Sequence, residues 1–152
     1  MERLSLFIDT NVIIEYLEKR SQFDSVKILM NMLEDKEHDG FISVGSFYTI
    51  AYILEQGLKR KGIESQSRLD LTRRFLSAIC QMLSISDIDN SSLLNGVKDE
   101  SFADIEDSLQ HQAAVSAKCD YIITLNIKDF KESTIPVMSP KQFVDMCFEG
   151  QK

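Results

Sequence analysis

Apolar residues run along this chain in two alternating rhythms, short continuous runs and longer stretches at three- and four-residue spacing. RLSLFID, ending on Asp9, reads as a buried strand. TNVIIEYLEKR follows with a Thr/Asn start and a helical pattern. Val26, Leu29, Met30 and Leu33 predict a second helix that ends near DKEHDG, and GFISV predicts a short strand. Phe47, Ile50, Ala51 and Leu54 mark the next helix. After a break at Gly62, Leu69, Thr72, Leu76, Ile79 and Leu83 mark another. MLSISDI reads as a strand and DNSSLLNG as the most turn-like stretch. FADIEDSLQHQAAVSAKC reads as a helix with Phe102, Ile105, Leu109 and Ala113 on one face. DYIITL is the strongest strand, PVMS a minor one, and PKQFVDMCFE a closing helix with Pro140 in its first turn.

Strands alternating with helices predict an α/β domain with a mostly parallel sheet. Such sheets gather ligands outside the carboxyl ends of their strands, which is where Asp9 falls. The length of 152 residues suits one domain over 1–152, and six glycines and two prolines leave no linker or repeat. A formal net charge of −7 argues against whole-surface attraction to nucleic acid, so such a contact needs a local basic patch or metal ions. Cys80, Cys119 and Cys147 are far apart and read as ordinary thiols of a reducing cytoplasm. The opening MERLSLFIDT reads as neither a signal peptide nor a membrane span.

The chemistry lies in the acids. Asp9 follows a strand, Asp104 and Asp107 sit three apart on a predicted helix, and Asp129 follows DYIITL, with Thr124 and Asn126 just before it. Taken singly, each also fits a cap, a turn or a solvated helix face. Gathered together they are costly, because two carboxylates about 4 Å apart repel by roughly 4 kcal/mol at an effective dielectric near 20. A hard divalent cation, Mg²⁺ or Mn²⁺, reverses that sign and can bridge a phosphate and activate a water.

Four stretches, FIDTNVII, FISVGSFYTIAYIL, DIEDSLQHQAAVSAKCDYIITLN and IKDF, resemble a PIN domain, the fold of VapC-type toxin ribonucleases, in the family's order and over nearly the whole chain. The resemblance implies a three-layer α/β/α sandwich and a metal-dependent endoribonuclease that leaves a 5′-phosphate and a 3′-hydroxyl. It implies that Asp9, Asp107 and Asp104 hold Mg²⁺ or Mn²⁺. Asp129 serves as a further ligand or positions the attacking water, and Asn11, Thr124 and Asn126 support them. It also implies homodimerisation and inhibition by a small antitoxin protein.

The chain departs from the family at two positions. The acid common on the helix after the second strand is Thr49 here, and Glu55, six residues on, lies roughly 240° around that helix. Asn126 also stands where an acid is frequent. Both departures favour the alternative of a degenerate PIN fold that binds RNA or protein without cutting. A receiver- or phosphatase-like protein using Asp9 as phosphoryl acceptor is a second rival. It is disfavoured by Asn11, where a phosphatase needs an aspartate, and by the lack of an acidic pair before the acceptor strand. For RNA binding, Lys59, Arg60, Lys61, Arg73 and Arg74, with Arg68, concentrate positive charge, although solvated helix ends explain them equally well. His111, one turn past Asp107, reads as an incidental surface residue. Tyr48 and Tyr52 fit core or interface packing better than base stacking.

Overall fold

Leu6, Phe7 and Ile8 are all fully buried, as only a central parallel strand covered on both faces requires. The computed structural model describes residues 1–150 and places them in β1 (Ser5–Ile8), with β2 (Asp39–Ser43), β3 (Leu83–Ser86), β4 (Tyr121–Ile123) and β5 (Val137–Met138) in one sheet. The order is β3-β2-β1-β4-β5 and every pairing is parallel. Seven helices flank it: α1 (Thr10–Glu18), α2 (Phe23–Glu34), α3 (Val44–Arg60), α4 (Ser65–Met82), α5 (Asn90–Lys98), α6 (Ile105–Ser116) and α7 (Pro140–Glu149). The expected α/β/α layering is present.

The period-two geometry of β1 divides the core. Leu6 and Ile8 pack with Val12, Leu29, Leu33, Ile50 and Phe143 from the helices of one face. Phe7 points the other way, onto Ala113 and Ala114 of α6, with Ile122 and Phe130. Gly40 in β2 pairs with Leu6 and Leu83, and a Cβ there would meet Leu83 Cδ2 at 2.4 Å and Leu33 Cδ2 at 3.1 Å. Gly40→Ala is therefore expected to destabilise the fold by about 1–3 kcal/mol, read as a lowered urea midpoint at unchanged slope.

Some expectations are corrected. DNSSLLNG is not a turn: it forms most of α5. Asp89 caps that helix by accepting from Ser92 N at 2.8 Å. Gly96 seats it against α6, where Ser108 Oγ donates to Gly96 O at 2.7 Å and a Cβ on Gly96 would meet Leu109 at 2.9 Å. Packing on α6 outweighs a turn-like composition. Leu83 begins β3 rather than ending α4, and Leu69 is exposed. Phe102 precedes α6, and Ile105, its first residue, is exposed rather than part of an apolar face.

Candidate functional site

Because all strands run parallel, their carboxyl ends share one edge of the sheet. Asp9 follows β1, Ser43 closes β2, and Thr124 follows β4. The chain moves from β1 outward to β2 and β3 on one side, and returns to β4 and β5 on the other. The crevice of such a sheet opens where that direction reverses, between β1 and β4.

Asp9 is only 6 % exposed and its carboxylate is fixed on both oxygens. Oδ1 accepts from Thr10 N at 2.9 Å, so Asp9 caps α1, and from Gln110 Nε2 at 3.1 Å. Oδ2 accepts the Thr124 hydroxyl at 2.8 Å. Thr124, fully buried, accepts in turn from Asn126 N at 3.1 Å and from Asn11 Nδ2 at 3.3 Å. Asn11 Oδ1 also accepts from Leu125 N at 3.2 Å, which ties α1 to the loop after β4.

Gln110 was not signalled by the sequence. It reads there as one polar residue among several in a helix, and only the fold reveals its partners. Its Nε2 also lies 2.9 Å from Ser46 Oγ and 3.3 Å from Thr10 Oγ1, and its Oε1 accepts from Ser43 Oγ at 2.5 Å. It ties α6 to the carboxyl ends of β1 and β2. Gln110→Leu would leave buried hydroxyls and Asp9 short of a partner. A loss of about 1–3 kcal/mol in unfolding free energy is expected by chemical denaturation.

Asp9, Asp104, Asp107, Asp129, Asn126 and Asn11 line one open cleft of about 330 Å³. Asp104 is not on the helix face as expected. It is the cap residue before α6, and its Oδ1 accepts from Asp107 N at 3.0 Å. Asp107 stands in the first turn of α6. Asp129 rides on a 3₁₀ turn, Ile127–Phe130, anchored by the buried Phe130. Thr49 also lines the cleft, where the resemblance implied an acid. Glu106, unflagged in the sequence, lines the cleft with it, and both residues border the adjoining hollow next to Ser43 and Gln110.

The electrostatic consequence falls on Asp107. Partial burial, followed by the charges of Asp104, Asp9, Asp129 and Glu106, pushes its carboxyl up to about 7. Five carboxylates and no histidine or cysteine line the cleft, a donor set of hard oxygens that fits Mg²⁺ or Mn²⁺. Among the described residues, no three His, Cys, Asp or Glu side chains are already drawn into an ion cage. Mg²⁺ is commonly held by one or two carboxylates, with water and substrate phosphate completing its shell, so an open cleft suits it.

The basic residues lie elsewhere. None of Lys59, Arg60, Lys61, Arg73 and Arg74 lines the acidic cleft. Lys59 and Arg60 close α3, with Lys61 as its cap, and Arg73 and Arg74 are exposed on α4. Arg68 is committed to the Ile63 carbonyl at 2.8 Å. His111 is buried rather than on the surface: Thr134 N donates to its Nε2 at 3.2 Å, and its ring lies on Phe102. Tyr48 and Tyr52 are not core residues, being 73 % and 67 % exposed. No helix among the described residues is long and apolar enough to cross a membrane.

A family model described as PIN domain matches residues 5–128. Comparison with curated proteins finds no match. Among solved structures, VapBC2 from Rickettsia felis bound to a promoter DNA fragment aligns with a TM-score of 0.63 at 21 % identity, over 90 % of this chain and 98 % of that one. A toxin–antitoxin complex from Klebsiella pneumoniae gives 0.61 at 21 %, over 89 % and 97 %. FitAcB from Neisseria gonorrhoeae gives 0.61 at 18 %, over 90 % and 98 %. At these identities the structures attest the fold.

Proposed function

The chain belongs to the PIN domain family, and from that premise we propose that it is a divalent-metal-dependent endoribonuclease, the toxin of a toxin–antitoxin pair. PIN domains are in general nucleases that use divalent metals. The observation that carries the reading is the single cleft shared by Asp9, the Asp104/Asp107 pair and Asp129, which come from three separate segments of the sequence.

In this reading Asp9, Asp107 and Asp104 hold Mg²⁺ or Mn²⁺, and Glu106 adds a carboxylate beside Thr49. A bound divalent cation supplies charge neutralisation at the scissile phosphate and an activated water. Asp129, in the same cleft, serves as a further ligand or positions the attacking water. Thr124 and Gln110 hold the Asp9 carboxylate in one rotamer, and Asn11 and the Asn126 backbone brace Thr124. The antitoxin pairing is supported by relatives that are themselves solved as toxin–antitoxin complexes. The implied cytoplasmic setting and homodimer belong to the same proposal.

Thr49 favours the rival reading of a non-cutting RNA- or protein-binding module, and Glu106 in the same cleft counts against it. The deciding experiment is incubation of structured and unstructured RNAs with Mn²⁺. Equal cleavage by the wild type and Asp9→Asn would rule out this site, and no cleavage of any RNA by the wild type would favour the binding module.

A further inference from the structure

The acidic cleft does not end at Asn11. Asn11 and Ile14 also line a groove of about 380 Å³ between α1 and α3, whose far end is bordered by Arg20 and Arg60. On the α3 side, Thr49, Tyr52, Gln56 and Arg60 follow one another at helical spacing along one face. Thr49 belongs to the cleft and the other three to the groove. Thr49 to Arg60 spans roughly 16 Å along the helix axis. Beyond Arg60 the groove opens into a hollow of about 520 Å³ that Lys61 borders.

The channel therefore changes sign along its length in a chain of net charge −7. Carboxylates stand at one end and guanidinium groups at the other, with a two-thirds-exposed phenol ring between them. Glu18 also lines the groove, and Arg20 is paired with it. Arg60 takes part in no ion pair among the described residues.

We propose that the groove between α1 and α3 is the bed for single-stranded RNA flanking the cut phosphate, with Tyr52 stacking on an unpaired base and Arg60 holding a backbone phosphate. The inference rests on the RNA-cleaving reading of the acidic cleft. An unpaired strand fits because stacking on Tyr52 needs a base face that a duplex hides. A backbone phosphate a few nucleotides along from the scissile one would then meet Arg60, beyond the aspartates of the cleft.

The test uses a fluorescent oligouridylate and the full chain carrying Asp9→Asn, so that binding is measured without cutting, by anisotropy in Mg²⁺ over a salt series. Adding Tyr52→Ala is expected to weaken binding about tenfold, and Tyr52→Phe to retain it, since a phenyl ring still stacks. Adding Arg60→Ala is expected to weaken binding several-fold and to reduce the log–log salt slope by about 0.7. Lys141→Ala, remote on α7, should bind like the parent. Both groove side chains face solvent, so loss of folding does not compete as an explanation. Parental affinity in both Tyr52→Ala and Arg60→Ala would overturn the proposal and leave the groove to a protein segment. If the wild type still cuts RNA in that case, the nuclease reading survives without the groove. A parent that binds no oligouridylate even at about 50 mM salt overturns the groove proposal as well.

Discussion

Asp9→Asn is expected to lower Mn²⁺-dependent RNA cleavage by at least a hundredfold, a factor of the order that loss of a group merely bracing a metal ligand can reach. The substitution keeps the shape of the side chain and removes its charge. It also replaces one acceptor oxygen by an amide NH₂. Thr10 N and Gln110 Nε2 donate to Oδ1 and the Thr124 hydroxyl to Oδ2, so one donor would then face another. That mismatch costs about 1–3 kcal/mol, which a domain of ordinary stability survives. The loss of activity should therefore appear in a protein that still unfolds cooperatively, as a thermal melt would show. Glu106→Gln gives the informative comparison. A loss as severe as that of Asp9→Asn would mean that Glu106 does the work of the acid missing at Thr49. Wild-type activity would remove it from the site.

Divalent-ion dependence should be steep in pH. The Asp107 carboxyl is raised to about 7 by partial burial and then by Asp104, Asp9, Asp129 and Glu106. A raised acid means that the metal-free folded protein holds a proton which the unfolded chain releases near pH 4. Its contribution to stability is full below pH 4 and declines as pH rises to 7. In EDTA, the melting temperature of the wild type should therefore fall between pH 5 and 7 relative to that of Asp107→Asn, which lacks the titration. Mn²⁺ must displace that proton, so its affinity should drop up to about tenfold for each pH unit below 7. Stabilisation by Mn²⁺ should accordingly be larger at pH 8 than at pH 5 in thermal melts. A wild type and Asp107→Asn that respond alike to EDTA, pH and Mn²⁺ would remove Asp107 from the ion site.

The strands and most helices were legible because burial on both faces leaves continuous apolar runs, as in Leu6–Ile8 and Ile122–Ile123. The parallel α/β class followed from their alternation with helices. The segment 90–98 was not legible. Asn, Ser and Gly favour turns locally, and only the seat that Gly96 makes on α6 reveals a helix. The four aspartates could be picked out by their places after strands and at one helix. Their neighbours could not. Gln110 gains its meaning from Ser43, Ser46 and Asp9, which lie at least 64 positions away in the chain. Glu106 stands next to Asp107 in sequence, and only the fold shows that it lines the same open cleft. Tyr48 and Tyr52, an aromatic pair one helical turn apart, read as core or interface residues, and their exposure removes the core half of that reading.

The braces on Asp9 also fix when the site can exist. Thr124 and Gln110 emerge from the ribosome more than a hundred residues after the carboxylate they orient, and β1 has no neighbour on one side until β4 is made. A nascent chain therefore carries Asp9 for most of its translation without the partners that hold it. The cleft shared by Asp9, Asp104, Asp107 and Asp129 is complete only with the last third of the polypeptide, so the proposed RNA-cutting activity would be withheld until the chain is nearly finished.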